Sequence, residues 1–415
     1  MITAAIIGLG GRGRTYLANI LGHKDMSVAA LCDIDAGRLK ACRLKAGLDT
    51  GKCYNSDTEF FAAGKLADCL VVATQDRNHY THAMQGLKLG YHILLEKPVS
   101  PIESECEEIA KEAEARGLNV LVCHVLRYSG YYRTIKRILE SGVIGEIVNI
   151  EMTENEGYWH HANSYTRGPW AVEADSASFL LAKCCHDIDI LYWMTGSRAV
   201  SVSSMGGLKY FKPEYAPADS GDRCADCIAK GKCSYNAERL FAFGIRLNNP
   251  NIFFDFIIKA GNTFSKKLRA KSKKLLDGPQ GRCVYKTGKD VCDHQITLIR
   301  YENSVVATQT VTAFSMRNYR GIRVYGTKGE LYGSDNESML TLNIFGKKPQ
   351  KIKLKGGGGH QGGDAGVIDD FVRVINGDID KNNKDITFIK ETLESHRVIF
   401  AAERSRKDGG RLVEL

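Results

Sequence analysis

Two hydrophobic rhythms alternate along the first 122 residues. Short, almost unbroken apolar runs occur at 4–8, 27–33, 69–73, 91–95 and 119–122. Between them, at 12–21, 36–46, 57–63, 79–89 and 101–116, apolar residues return every three or four positions. The runs read as strands and the intervening stretches as amphipathic helices. A strand with no polar face has to be covered on both sides, so the pattern predicts a parallel sheet wrapped by helices. After residue 123 the rhythm changes. A helix over 131–141 leads through Gly142, Gly145 and Glu146 into a strand over 147–152. A long apolar helix spans 178–196, and further helices follow at 365–376 and 391–406. Lys351, Ile352, Lys353 and Leu354 alternate as an exposed strand would. The pattern divides the chain at 1–122 and 123–415, with an insertion richer in Lys, Gly and Cys at about 209–280.

The junction between the first strand and its helix carries candidate chemistry. Gly8, Gly10 and Gly13 form Gly-x-Gly-x-x-Gly, with Gly11 and Arg12 inside it. The first glycine permits a tight turn, the second lets the backbone approach a pyrophosphate, and the third allows close helix packing. The helix N-terminus then offers free N–H groups to phosphate. Asp33 ends the next strand, 20 residues after Gly13. A carboxylate there accepts the ribose hydroxyls and repels a 2′-phosphate, which favours NAD over NADP. Arg38 lies close enough in sequence to leave dual use open. Glu96, Lys97 and Pro98 follow the 91–95 strand, at the carboxyl edge of the sheet where ligands of such folds sit. The fold class expected is therefore α/β: an N-terminal doubly wound parallel sheet of Rossmann type and a C-terminal α/β domain.

Composition narrows the class. The 415 residues are 43% hydrophobic and 25% charged, the profile of an ordinary globular protein. Nowhere do about 18 consecutive apolar residues occur, so no membrane span is expected. The first residues lack a basic segment and cleavable apolar core, so a cytoplasmic protein is expected, and its 13 cysteines should be reduced thiols. The net charge of +9 is concentrated at 266–274 and 347–355. Neither run interleaves aromatics as a nucleic-acid stacking surface does. Both read as solvated faces, with no nucleic-acid partner.

The motif set GLGGRG at 8–13, CD at 32–33, VVATQDRNHYTHA at 71–83 and EKP at 96–98 resembles the glucose–fructose oxidoreductase/inositol dehydrogenase/rhizopine-catabolism (Gfo/Idh/MocA) family. Gln75 stands where many members have proline. The resemblance implies that Thr74, Asp76 and His79 line the cofactor groove and that Lys97 contacts substrate. It also implies a C-terminal domain built on a large, mostly antiparallel open sheet, often used to form a dimer or tetramer.

The helix at 178–196 holds the second half of the expected site. Lys183, His186 and Asp189 fall on one face, and burying such a face is costly unless its groups pair or border a cavity. In the family this helix carries an acid, a glycine and then His-x-x-Asp. His186 and Asp189 match the last two, whereas Ala182 stands at the acid. His186 is expected to be the general base or acid, with Lys97 and Lys183 polarising the substrate oxygen and neighbouring cations lowering the Lys183 pKa. Trp159, His160, His161 and Arg167 form a candidate sugar-stacking loop, and Asp293 and His294 are further polar candidates. Gly356–Gly359, His360 and residues 362–364 suggest a closing loop or a plain turn.

Cys224, Cys227 and Cys233 have the Cys-x2-Cys-x5-Cys spacing of a structural zinc knuckle, with Cys283 and Cys292 as alternative fourth ligands. The function expected is an NAD(H)-dependent oxidoreductase acting on a CH–OH group of a sugar, cyclitol or glycoside. Two alternatives stand beside it: a redox-assisted glycosidase or lyase passing through a transient 3-keto sugar, and a non-catalytic NAD-sensing regulator.

Overall fold

The computed structural model describes residues 1–240, 276–337, 339–354 and 359–415. The basic run at 266–274, most of the glycine run at 356–359 and the middle of the expected insertion lie outside the described residues.

The N-terminal unit is built from β1 (Ile2–Ile7), α1 (Gly11–Gly22), β2 (Met26–Cys32), α2 (Ala36–Ala46), β3 (Cys53–Tyr54), α3 (Asp57–Ala62), β4 (Cys69–Val72), α4 (His79–Lys88), β5 (His92–Leu95), α5 (Glu103–Ala115) and β6 (Val120–Val122). The strands are parallel, in the order β3-β2-β1-β4-β5-β6. The order reverses between β1 and β4, which opens a crevice at their carboxyl ends. Period-two geometry explains why the strands read as continuous apolar runs. Ile2, Ala4 and Ile6 of β1 point into one core with Tyr16, Leu17 and Ile20 of α1, while Ala5 and Ile7 point into another with Leu87 and Ile109. Burying each Ile or Leu contributes about 1.5–3 kcal/mol.

The second unit adds α6 (Gly130–Glu140), β7 (Ile147–Gly157), α7 (Tyr158–His161), α8 (Phe179–Thr195), β8 (Ala199–Gly207), β9 (His294–Tyr301), β10 (Val306–Ser315), β11 (Tyr319–Gly326), β12 (Gly329–Ser334), β13 (Met339–Ile344), β14 (Gln350–Lys353), α9 (Gly363–Ile375), α10 (Ile389–Lys407) and β15 (Val413–Glu414). Among the described residues the sheet has nine strands in the order β14-β13-β12-β11-β7-β10-β9-β8-β15. Only the β7–β10 pair is parallel. One face packs on α8 and α10. The other is open, as the strict alternation of exposed and buried residues along β9 shows.

The chain does not stay in its second unit. Val367, Phe371 and Val374 of α9 complete the core beneath α1, Ile389 at the start of α10 joins the opposite core, and Leu121 bridges to Phe388. The two sheets are therefore tied together by the returning C-terminal segment.

Helix α8 starts at Ser178, whose side chain accepts the Leu181 N–H, and ends at Gly196 in the left-handed region. It is buried nearly all round, so each charge on it needs a partner. Asp189 has one: its carboxylate accepts two hydrogen bonds from Arg127, both at 2.7 Å, with both side chains essentially inaccessible. This corrects the expectation that Asp189 joins the catalytic face. Its spacing leaves it one turn from His186, but the Arg127 pair engages both of its carboxylate oxygens and holds them there.

Removing one member of such a pair strands the other. Asp189→Ala is expected to lower unfolding stability by about 3–5 kcal/mol, measured by denaturant titration. A loss under about 1 kcal/mol, the size of an exposed ion pair, would contradict this role.

Candidate active site

Backbone geometry at the glycine turn matches its assigned parts. Gly8 has φ +88°, where L-residues are strained. A Cβ on Gly8 would also strike the Ala73 carbonyl at 2.5 Å, and one on Gly13 would fall on the Gly8 carbonyl oxygen. Gly10 and Gly11 instead face open space. That space sits over the N-terminus of α1, where free N–H groups attract a diphosphate, so these residues fit NAD. Asp33 braces the turn by accepting the Leu9 N–H at 2.6 Å. Its other oxygen accepts from Asp35 N–H and from the Arg38 guanidinium at 2.9 Å. Arg38 is thereby held against the carboxylate expected to meet the ribose.

Arg12 departs from its expected part. Its guanidinium donates to Glu96 at 2.6 Å and to Asp364 of α9 at 2.8 Å. It is thus committed to carboxylates, not free for phosphate. Burial opposes the charge on Glu96, but Arg12 and Lys97 outweigh it and hold the carboxyl below its usual range. His79 lies between the carbonyls of Pro98 (2.7 Å) and Thr74 (3.3 Å) and so positions the segment that carries Lys97. Asp76 accepts from the Trp170 indole at 3.0 Å, joining the two units across the crevice.

A cleft of about 320 Å³ runs from this turn to the second unit, within the usual size for small-molecule sites. Gly10, Gly11, Thr74, Asp76, Lys97 and His79 line one side, and His160, Tyr165, Trp170, Lys183, His186 and Arg320 the other. Lys97 Nζ donates to the Ala182 carbonyl at 2.7 Å. Ala182 lies one turn before His186, and helical side chains lean toward the preceding turn. Lys97 and His186 line the same cleft. Burial, then Lys97, His124 and Arg320, push His186 well below the usual histidine range, so the ring is neutral. Its Nδ1 has no partner among the described residues.

Lys183 behaves differently from expectation. Burial works against its charge, yet Glu154 (3.5 Å) and Glu156 (2.6 Å) raise its pKa. Arg320 completes the network, 2.6 Å from Glu154 and 3.0 Å from Asp187. Burial pushes the Asp187 carboxyl up to about 7 even beside the Arg320 charge. His160 pairs with Glu156 on the same wall. Glu154, Glu156 and Arg320 were not singled out from sequence, where the strand was ended at Met152. The signal was present: Glu154 and Glu156 alternate on β7 and so share a face.

Other expected site residues fall elsewhere. His161 is buried between Phe211 and Phe179. Asp293 is fully buried and accepts the Lys209 and Tyr210 N–H groups, with His294 against it. Arg167 points away from the cleft. Among the described residues, no group of three or more His, Cys, Asp or Glu is drawn together as a preformed metal site, and Cys224, Cys227 and Cys233 are free thiols.

Residues 2–124 match the family model described as the oxidoreductase family with an NAD-binding Rossmann fold, and residues 132–229 match the Gfo/Idh/MocA C-terminal domain. The chain belongs to the Gfo/Idh/MocA oxidoreductase family. YteT of Bacillus subtilis is 23% identical over 366 residues, 83% of this chain and 81% of that protein. Inositol 2-dehydrogenase 2 of Saccharopolyspora erythraea is 31% identical over 206 residues, 48% of this chain; the match spans 55% of that relative's length. The WlbA dehydrogenase of Chromobacterium violaceum, solved with NADH and UDP-GlcNAcA, superposes with a TM-score of 0.69 at 16% identity, covering 100% of this chain and 96% of that one. At that identity the likeness shows the fold alone.

Two expectations follow. Gly10→Ala should fold with wild-type stability but bind NADH more weakly in a fluorescence titration, because its methyl enters only the open cradle. Gly13→Ala should lose stability. Equal NADH affinity in Gly10→Ala would show that no diphosphate lies there. The second expectation concerns acid. His124, His161, His186 and His396 are all pushed down by burial, His396 to about 3. They stay neutral in the fold, whereas an unfolded chain protonates them below about pH 6.5. The unfolded state then binds more protons, and stability falls with pH by up to about 1.4 kcal/mol per unit for each ring. Burial lowers His82 and His92 in the same sense, making six rings, while three raised carboxyls, Asp187, Asp189 and Asp335, oppose them. Urea midpoints should therefore drop between about pH 7 and pH 5, and a rise over that range would contradict the burial of neutral rings.

Proposed function

We infer that the protein is an NAD(H)-dependent dehydrogenase of a CH–OH group on a sugar, cyclitol or glycoside. The carrying observation is a single cleft lined by Lys97, from the end of β5, by His186 of α8 and by the glycine turn. A nicotinamide bound in the crevice would supply the hydride acceptor. The remaining tasks fall on this chain. Lys97 holds the substrate oxygen and favours its negative charge as the proton leaves. Neutral His186 takes the hydroxyl proton on its ring. Lys183 and His160, held by Glu156, present donors to neighbouring hydroxyls, as a polyol requires. Trp170 and Tyr165 cover the cleft and limit water. The inositol dehydrogenase relative and the nucleotide-sugar complex of WlbA support this substrate class. A homo-oligomer suits the open sheet face, where Met205, Ile296 and Leu298 stand exposed. No helix among the described residues is long and apolar enough to cross a membrane.

The test is a panel of free sugars, cyclitols and glycosides with NAD and with NADP, followed by nicotinamide absorbance and by chromatography. Accumulation of reduced cofactor with a polyol supports the dehydrogenase. Bond cleavage without accumulation replaces it with the redox-neutral alternative, and cofactor binding with no turnover leaves the sensor. On the active substrate, His186→Ala should lower kcat/KM by about 10²–10⁴-fold, and Lys97→Met should do likewise, both with NADH affinity retained. Full turnover in His186→Ala alongside loss in Lys97→Met would move the base to Lys97.

A further inference from the structure

Four cysteines outside the cleft converge on one small cavity. Two short extended segments pair antiparallel, with Arg223 opposite Arg282. The Cys224 N–H donates to Gly281 and the Cys283 N–H to Asp222, each at 2.8 Å. Cys227 and Cys233 follow on tight turns. All four line a cavity of about 20 Å³, room for a single atom-sized occupant. The sulfurs ring this space without being closed into a ligand set. Cys292, the other candidate fourth sulfur, packs in the main core with Val291.

Two further features point to negative charge at this place. Arg167 is 4% exposed, and a guanidinium stays protonated. It donates to the carbonyls of Arg282 (2.7 Å) and Tyr235 (2.6 Å), lies 3.7 Å from Cys224 Sγ, and leaves Nη1 without a partner. Among the described residues no carboxylate pairs with it. A buried cation of this kind needs an anion, and the sulfurs are what it faces. A backbone N–H is also aimed at sulfur, that of Ala237 at Cys224 (3.4 Å). Such a donor favours thiolate over thiol.

We propose that Cys224, Cys227, Cys233 and Cys283 bind one zinc ion in a tetrahedral, four-thiolate structural site, with Arg167 as its buried counter-charge. Each thiol releases its proton to solvent as its sulfur binds. Four thiolates leave the site with two excess negative charges, of which Arg167 offsets one. With every coordination position filled by sulfur, the ion has no place for substrate and acts by fixing structure. What it fixes adjoins the cleft: Arg167 ends the turn Ala162–Thr166 that carries Ser164 and Tyr165 into the wall.

Elemental analysis of the full chain, purified without chelators, should find zinc near one equivalent. Cobalt(II) exchanged into the wild-type protein should show thiolate-to-metal charge-transfer absorption. Cys283→Ser should weaken zinc retention by more than the roughly 10–100-fold typical of outer-shell changes, whereas Cys292→Ser should keep full occupancy. Zinc well under stoichiometric in the wild-type protein, no thiolate band with cobalt, or equal retention in Cys283→Ser would each overturn the proposal. Iron with acid-labile sulfide in place of zinc would also overturn it, since the cavity has room for one ion and not a cluster. The wild-type measurements decide the matter even where a variant fails to fold.

Discussion

The contact between the Lys97 ammonium and the Ala182 carbonyl governs the site. A cation brought to the end of a parallel strand and half-buried there needs an acceptor. A carboxylate would satisfy it and also cancel its field. A helix carbonyl satisfies one N–H and leaves the charge standing. That uncancelled charge adds to the burial of His186 and keeps the imidazole neutral. One hydrogen bond thereby joins the two units and holds the ammonium at the cleft that His186 also lines.

Lys183 shows the opposite solution one turn away. It is deeper, and its two glutamates hold the charge in place. A lysine kept so firmly protonated makes a donor and a poor base, which separates the parts of the two lysines by surroundings alone. Arg320 extends the network from β11 to α8 through Asp187, so the wall opposite the glycine turn is fixed by alternating charges. Breaking such a buried network is costly because each removal strands a neighbour.

Much of this was legible in the sequence, and for physical reasons. Strands β1, β4 and β5 are covered on both faces, so their apolar runs admitted no other reading. The glycine turn needs glycine for reasons of φ and space that any sequence must obey. His186 and Lys97 were singled out because a polar group on an apolar helix, and a lysine at a sheet's carboxyl edge, both ask for an explanation, and both line the cleft. What was not legible came from long-range pairing. Asp189 has the same helical spacing whether it faces a cleft or Arg127, 62 positions earlier. The lowered pKa expected for Lys183 failed because Glu154 and Glu156 reach it from a strand that continues beyond its last apolar residue. Arg167 looked like part of a sugar-stacking loop because its neighbours are aromatic, but the turn before it points the guanidinium into the cysteine lobe.

The returning C-terminus fixes the shape of the cleft between the two sheets. Helix α9 packs beneath α1, and its Asp364 takes Arg12 from the glycine turn, while His360 just before it lines the cleft. Arg12 is shared with Glu96, the neighbour of Lys97. A rotation of one sheet against the other would have to break this buried link together with the Trp170–Asp76 and Lys97–Ala182 hydrogen bonds. Three polar ties at three edges of the cleft leave little room for a free hinge. Rotamer changes of single side chains along the cleft are then a less costly way for substrate to enter than movement of one sheet against the other.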